Sequence, residues 1–426
     1  MYKNKNLTLE ELNSLAFQNY KNNDFQEAIK LYDEVLKKDT ENINAYNYLG
    51  IIFNKLGQQQ KAITSHKKAI QINPNDSRSH NNLGIVFKLI GKYQEARNCY
   101  EKAIEIEPNY FEAHNNLGSL LLDLGEFQNS LVFFEEVIKL KPKLEIPRYN
   151  LGRALFMLSQ YKKSAEQFKL IDFKDSKNYL LRCLYILDDK LIFYEYLDSL
   201  INRGETNAVI GSLCLRSEVK FGVKRQNPFC NDPLDYILEK DLAKEYDFQN
   251  TFIETAINIL NDDEFLKKTQ VLLTNGVQTA GNIFTKKNTF IEKMKDIIHL
   301  EVQKYQNHFK DRDDGLIKYW PTDYDINGWL ISMKNGGNIK PHIHDYGWIS
   351  GSIYVNVPPK LKTNNGNLVL CIDEDIQKIR DKKKYQEIIN VFTGSLCLFP
   401  SSLYHYTIPF ESKEDRIVLA FDVVPK

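Results

Sequence analysis

At 426 residues the chain is too long for one ordinary hydrophobic core, so two or three domains are expected. A composition 42% hydrophobic and 26% charged is that of a soluble globular protein, and 56 basic residues against 56 acidic ones leave a formal net charge of zero. That balance excludes bulk electrostatic attraction to nucleic acid or to an anionic membrane, so neither is expected as a partner.

The first residues have no apolar run behind them, and a cytoplasmic location is the expectation. Six cysteines, at 99, 183, 214, 230, 371 and 397, are too scattered for a zinc knuckle or redox pair and read as reduced, mostly buried thiols.

In chain order, the first feature is a period. Gly50, Gly84, Gly118 and Gly152 lie 34 residues apart, each preceded by a leucine. Ala62, Ala96, Ser130 and Ser164 follow twelve residues after them, and Pro74, Pro108 and Pro142 close three of the units. Small residues suit helices that cross closely, while Phe53, Phe87, Tyr100 and Phe134 fill the gaps. The pattern resembles the tetratricopeptide repeat over about five units, residues 9 to 178. Ala16 and Thr40 replace glycine and proline in the first unit, and the last unit, near Tyr161 to Leu170, drifts.

The resemblance implies an α-solenoid whose groove holds a peptide or protein segment. Asn47, Asn81, Asn82, Asn115 and Asn116 are then either clamps for a bound backbone or solvated helix-face residues. His66, His80 and His114 are read as packing or surface residues, not ligands.

From residue 179 to 263 the period is lost, but helical spacing persists, as in Tyr179 to Leu187, and a helical connector is expected. Phe221 to Leu234, with glycine and prolines, is expected to be an ordered surface loop. A third domain is expected over 264–426. Lys268 to Leu273 is its candidate first strand, and Lys287 to Phe309 reads as an amphipathic helix with Phe290, Met294, Ile297, Ile298 and Val302 on one face. His299 and His308 fall off that face.

Short strands then follow one another, expected at 328–333, 339–344, 348–357, 367–372, 394–399, 403–409 and 415–424, the texture of an all-β sandwich or barrel. The charge-rich stretch 373–386 between them reads as a helix or loop placed to act as a lid.

The centre of this domain is Pro341-His342-Ile343-His344-Asp345. On a strand, His342 and His344 share a face, and the only downstream histidine, His405, supplies a third imidazole. A spaced pair with a third histidine favours a metal over structural histidines. In the run from Arg416 to Phe421, Ile417, Leu419 and Phe421 share one face, leaving Arg416 with Val418 and Ala420 on the other, an interior wall.

This set, with Trp348-Ile349-Ser350-Gly351-Ser352-Ile353-Tyr354-Val355, Gly366-Asn367-Leu368 and Gly394-Ser395-Leu396-Cys397-Leu398-Phe399-Pro400-Ser401, resembles the iron(II) and 2-oxoglutarate dependent oxygenases of the His-x-His, Ser-Gly-x-Tyr type. It covers about the last hundred residues, and Asn227-Pro228-Phe229 and Gln278-Thr279-Ala280 look like the same family's upstream region.

The resemblance implies a double-stranded β-helix, or jelly-roll, with flanking helices. It implies iron(II) held by His342, His405 and, where the superfamily has a carboxylate, His344; Asp345 is the alternative ligand after a bulge. It also implies 2-oxoglutarate gripped by the fork of Arg416, with Tyr354 facing the pocket. Trp329, Trp348 and Tyr404 read as core. The function implied is hydroxylation of a protein or peptide recruited by the repeats. Two other readings stand: a three-histidine, cupin-like metal enzyme that does not use 2-oxoglutarate, and an inactive repeat scaffold.

Overall fold

The computed structural model describes residues 7–262, 265–374 and 382–426. It divides into two compact units, Met1–Leu187 and Asp188–Lys426. The segment expected as a separate connector is therefore divided: Ser176–Ile186 packs with the repeats, and the helices Lys190–Asn202 and Ala208–Phe221 belong with the strands that follow.

The first unit is a run of antiparallel helix pairs: Leu9–Lys21 with Phe25–Lys38, Ile43–Lys55 with Gln59–Ile72, Ser77–Leu89 with Tyr93–Ile106, Phe111–Asp123 with Phe127–Leu140, and Glu145–Met157 with Tyr161–Phe168. The repeating glycine exists because an aromatic ring lies on it. A Cβ on Gly84 would stand 2.7 Å from the Tyr100 ring, on Gly118 2.8 Å from Phe134, on Gly152 2.7 Å from Phe168, and on Gly50 2.5 Å from the imidazole of His66. Each ring comes sixteen residues after its glycine, and Tyr32 stands at the same place after Ala16. His66 is thus a packing residue in an aromatic position.

Within each pair the turn passes through a left-handed residue at the same place: Asn23, Gly57, Gly91, Gly125 and Ser159 all have φ between 58° and 78°. Between pairs, the carbonyls of Pro74, Pro108 and Pro142 accept bonds from His80, His114 and Arg148. Two of the asparagines are committed inside the solenoid. Asn47 donates to Asp76 and accepts from Ser79, and Asn81 accepts from Asn116, so these two are neither solvated nor free to clamp a peptide.

In the second unit the strands are β1 (Leu238–Asp241), β2 (Lys267–Lys268), β3 (Leu273–Thr279), β4 (Tyr324–Ile339), β5 (Ile349–Asn356), β6 (Leu368–Cys371), β7 (Gln386–Ile389), β8 (Ser395–Pro400), β9 (Tyr404–Thr407) and β10 (Arg416–Pro425). They form a seven-stranded sheet, β1-β8-β5-β10-β4-β3-β2, and a three-stranded sheet, β7-β6-β9, in which every pair is antiparallel. This is the jelly-roll arrangement.

The large sheet has two apolar faces, which is why strands such as β5 and β8 are buried almost without interruption. Leu330, Ile349, Ile353, Leu398, Leu419 and Phe421 face outward onto the helix Thr289–His308, through Ile291, Met294, Ile298 and Val302. Ile331, Met333, Tyr354, Cys397, Val418 and Ala420 face the small sheet. Arg416 and Asp422 lie on that second face by alternation.

Several expectations are corrected. The strand expected at 268–273 is two strands, with residues 269–272 as the turn between them. Phe290 is 59% exposed and takes no part in the buried face of its helix. The loop 221–234 carries Phe229 and Cys230 into the core, because Asn227 satisfies its buried backbone: it donates to the carbonyl of Gly211 and accepts from the amides of Phe229 and Cys230. Of the expected lid, residues 375–381 lie outside the described residues, while Lys382–Tyr385 is a short helix leading into β7.

Candidate metal centre

The stretch 339–344 is not a strand. β4 ends at Ile339, and His342 makes a single antiparallel bridge to His405, each backbone amide donating to the other's carbonyl, at 3.2 and 2.9 Å. A turn at Asp345 and Tyr346 follows, and β5 begins at Ile349. It is this bridge, together with the turn, that brings the three imidazoles together.

One ring nitrogen from each of His342, His344 and His405 lies within 4.8 Å of the others. The ring centroids of His342 and His405 are 4.2 Å apart, and those of His344 and His405 4.7 Å. Asp345 does not join this cluster.

The hydrogen bonds select the tautomers. Nδ1 of His342 donates to the carbonyl of Lys340 at 2.8 Å, Nδ1 of His405 to that of Leu403 at 3.4 Å, and Nδ1 of His344 to the Asp422 carboxylate at 2.5 Å. A proton on every Nδ1 leaves a lone pair on every Nε2. The Nε2 atoms of His342 and His344 face each other at 3.2 Å, a contact that either a proton shared between the two nitrogens or a cation bound by both relieves. It is also a separation open to two ligands of one ion, given metal–nitrogen bonds of about 2.0–2.1 Å.

The electrostatics favour the ligand form at two of the three rings. Burial, then the neighbouring imidazoles, hold His342 down to about 4 and His405 well below the ordinary histidine range. At His344 burial acts in the same direction, but the charge and hydrogen bond of Asp422 outweigh it and raise its pKa. Asp422 is itself fixed by a bond from Ser350 Oγ at 2.7 Å, and that hydroxyl also meets Ser401 Oγ at 2.8 Å. A carboxylate behind a histidine raises ligand basicity and sets the ring's orientation.

The three rings open into a cavity of about 350 Å³, within the range of small-molecule sites. Arg416 lines it and is fully buried, and none of its three guanidinium nitrogens has a hydrogen-bond partner among the described residues. The Tyr354 ring lies 5.2 Å from its guanidinium carbon. An unpaired buried cation is expensive, so the cavity calls for an anion. The residues present therefore fit a divalent metal at one place and a carboxylate ligand at another.

Trp329, expected as core, is a wall of the cavity, its ring 5.4 Å from that of His344. Trp348 is core, its indole nitrogen donating to the Leu316 carbonyl. Tyr404 is core, as expected, and its hydroxyl accepts from Arg216. The residues missed are Asp422, Ser350 and Ser401. Asp422 had a signal: it continues the alternation of Arg416, Val418 and Ala420, which places a carboxylate on the interior face.

The family model described as "Putative 2OG-Fe(II) oxygenase" matches residues 327–422, which include all three histidines, Tyr354, Arg416 and Asp422. The models described as TPR repeat and Tetratricopeptide repeat match residues 50–91 and 86–125, and 111–144. No curated protein matches the chain.

Among solved structures, Pseudomonas aeruginosa pilF is 17% identical, covering 45% of this chain and 90% of its own, with a TM-score of 0.41. A tetratricopeptide repeat protein from Parabacteroides merdae is 17% identical, covering 50% and 86%, at 0.39. YrrB, described as a TPR protein with an unusual peptide-binding site, is 16% identical, covering 44% and 97%, at 0.39. All three scores are too low to bear on function. The family matches place tetratricopeptide repeats in residues 50–144 of this chain and a domain of the "Putative 2OG-Fe(II) oxygenase" family in residues 327–422.

Proposed function

We propose that the protein is an iron(II) and 2-oxoglutarate dependent oxygenase that hydroxylates a protein or peptide recruited by its repeats. The observation that carries this reading is the pairing, in one cavity, of three clustered imidazoles with a buried arginine whose guanidinium nitrogens have no hydrogen-bond partner among the described residues. His342, His344 and His405 would hold the metal, and Arg416 would take the far carboxylate of 2-oxoglutarate in its fork. The chemistry such a centre supplies is activation of dioxygen coupled to oxidative decarboxylation of 2-oxoglutarate, which leaves one oxygen atom for a C–H bond of the substrate.

The chain's own residues orient and exclude. Asp422 and Ser350 hold His344 in register, and the carbonyls of Lys340 and Leu403 do the same for His342 and His405. Tyr354 supports the Arg416 fork through its ring face. Leu368, Ile331, Val418 and Ala420 keep the space between dry, which strengthens the arginine's grip on an anion.

The deciding experiment is an anaerobic iron(II) titration with 2-oxoglutarate, following the weak visible charge-transfer band of the chelated acid. The band is expected in the wild type and absent in His405→Ala and Arg416→Ala. Iron binding without a band would sink the 2-oxoglutarate reading and favour a three-histidine, cupin-like enzyme. The neutral donor set gives that second reading its support, since no carboxylate joins the three rings. A protein that takes up no divalent metal would leave only the repeat scaffold.

A further inference from the structure

One buried polar group in the cavity has no part in holding either the metal or the anion. Gln278 on β3 is 9% exposed, lines the cavity with the three histidines, and its Oε1 has no hydrogen-bond donor among the described residues. A buried carbonyl left unpaired is destabilising, so the group calls for a partner from outside the protein.

On the β4 side the sheet register explains why no side chain supplies one. Gln278 pairs with Ile331 on β4, Ile331 with Val418 on β10, and Val418 with Tyr354 on β5. Its inner-face neighbours across the sheet are therefore aliphatic, and Tyr354 is three strands away, about 14 Å at about 4.8 Å per strand. On the other side Gln278 pairs with Lys268 of the two-residue strand β2, whose exposed side chain also lines the cavity but makes no bond to Gln278 Oε1.

The same register places Gln278 beside the metal centre. Trp329 precedes Ile331 by two residues on the inner face of β4, and its ring packs on His344. Gln278 thus lines the β3 flank of the cavity that the histidines also line, remote from Tyr354 on β5, whose ring packs on the Arg416 fork.

A carboxamide offers one acceptor and, on its nitrogen, donors side by side, and a half-turn of its last torsion exchanges them. The group that matches such a pair is another amide, which presents N–H and C=O together. We infer that Gln278 is the residue that recognises the substrate, by pairing with an amide of the segment to be hydroxylated, so that the substrate class is a peptide or an amide-bearing side chain. This rests on the oxygenase reading and specifies the substrate of that site. Gln278 is a binding residue here and moves no proton.

The test uses the full-length protein loaded with zinc(II), which binds without turnover. Acetyl-amino-acid N-methylamides covering the twenty side chains are titrated by NMR, and the tightest is compared with the esters that replace each of its amides, side-chain amide included, in turn. The wild type is expected to prefer amide over ester by about tenfold, the worth of one hydrogen bond to a buried acceptor, and the side-chain NH2 signal of Gln278 should shift on binding. Gln278→Glu, which keeps the acceptor, should keep the preference; Gln278→Leu should lose it.

Equal affinity for amide and ester in the wild type, or an unchanged preference in Gln278→Leu, would overturn the inference while leaving the oxygenase reading intact. Failure to take up zinc would overturn both, and the charge-transfer titration above tells the two failures apart.

Discussion

At the scale of single residues, the candidate centre is arranged as much by what lies behind the ligands as by the ligands. Asp422 and Ser350 determine which nitrogen of His344 carries the proton. Asp422→Asn keeps the size but replaces a charged acceptor with a neutral amide, and metal affinity is expected to fall about 10–100-fold, the usual cost of losing such support. Competition with a chromophoric chelator measures it, and circular dichroism should show an unchanged fold; undiminished affinity would mean that Asp422 does not act through His344.

A second residue-scale effect lies in the repeats. Burial holds the His66 pKa down from its ordinary 6.5 to about 4, against the opposing charge of Asp76. Because the folded value is the depressed one, stability is full above pH 6.5 and is lost as pH falls toward 4, by about 2–3 kcal/mol. His66→Phe, which installs the ring type found at Phe134 and Phe168, should flatten that dependence in denaturant melts at pH 7 and pH 4. A slope equal to the wild type's would show that other groups control acid sensitivity.

At the scale of elements, the two units solve close packing differently. In the repeats, one small residue under one ring fixes how the helices of a pair cross. Gly84→Ala would bring a Cβ to 2.7 Å from Tyr100, and the shift it forces should cost about 1–3 kcal/mol. Tyr100→Leu in the same chain should recover part of that loss, whereas simple additivity in thermal melts would mean that the ring is not what the glycine accommodates. In the second unit the packing element is a sheet with two apolar faces. Its outer face takes the Thr289–His308 helix, and its inner face is thereby left to line the cavity.

At the scale of the whole molecule, the chain comprises two compact units, and the three candidate metal ligands all belong to the second. A metal that binds only the folded second unit stabilises it by about 2.7 kcal/mol at a hundred times its dissociation constant and does nothing for the first. Calorimetry with added zinc(II) is therefore expected to move one of two transitions upward and leave the other in place. A single transition that moves as a whole would show that the units unfold together. No described helix is long and apolar enough to cross a membrane.

The repeat period, the alternation that buries Arg416 and the three histidines were all legible in the amino-acid sequence, because each rests on spacing along the chain: 34 residues, or two. The same rule of two would have reached Asp422. What spacing could not reveal is whatever depends on strands distant in sequence meeting in space. His342 and His344 were expected together as alternate residues of a strand; they meet His405 instead through one isolated bridge and a turn. Gln278 stands out only because β3 pairs with β4, which sets the aliphatic Ile331 beside a carboxamide. Asn47 and Asn81, read as either clamps for a bound backbone or solvated helix-face residues, are spent on neighbouring repeats. A residue's own preferences are written in its local pattern, but whether a polar atom is satisfied is decided by the partners that tertiary packing places around it.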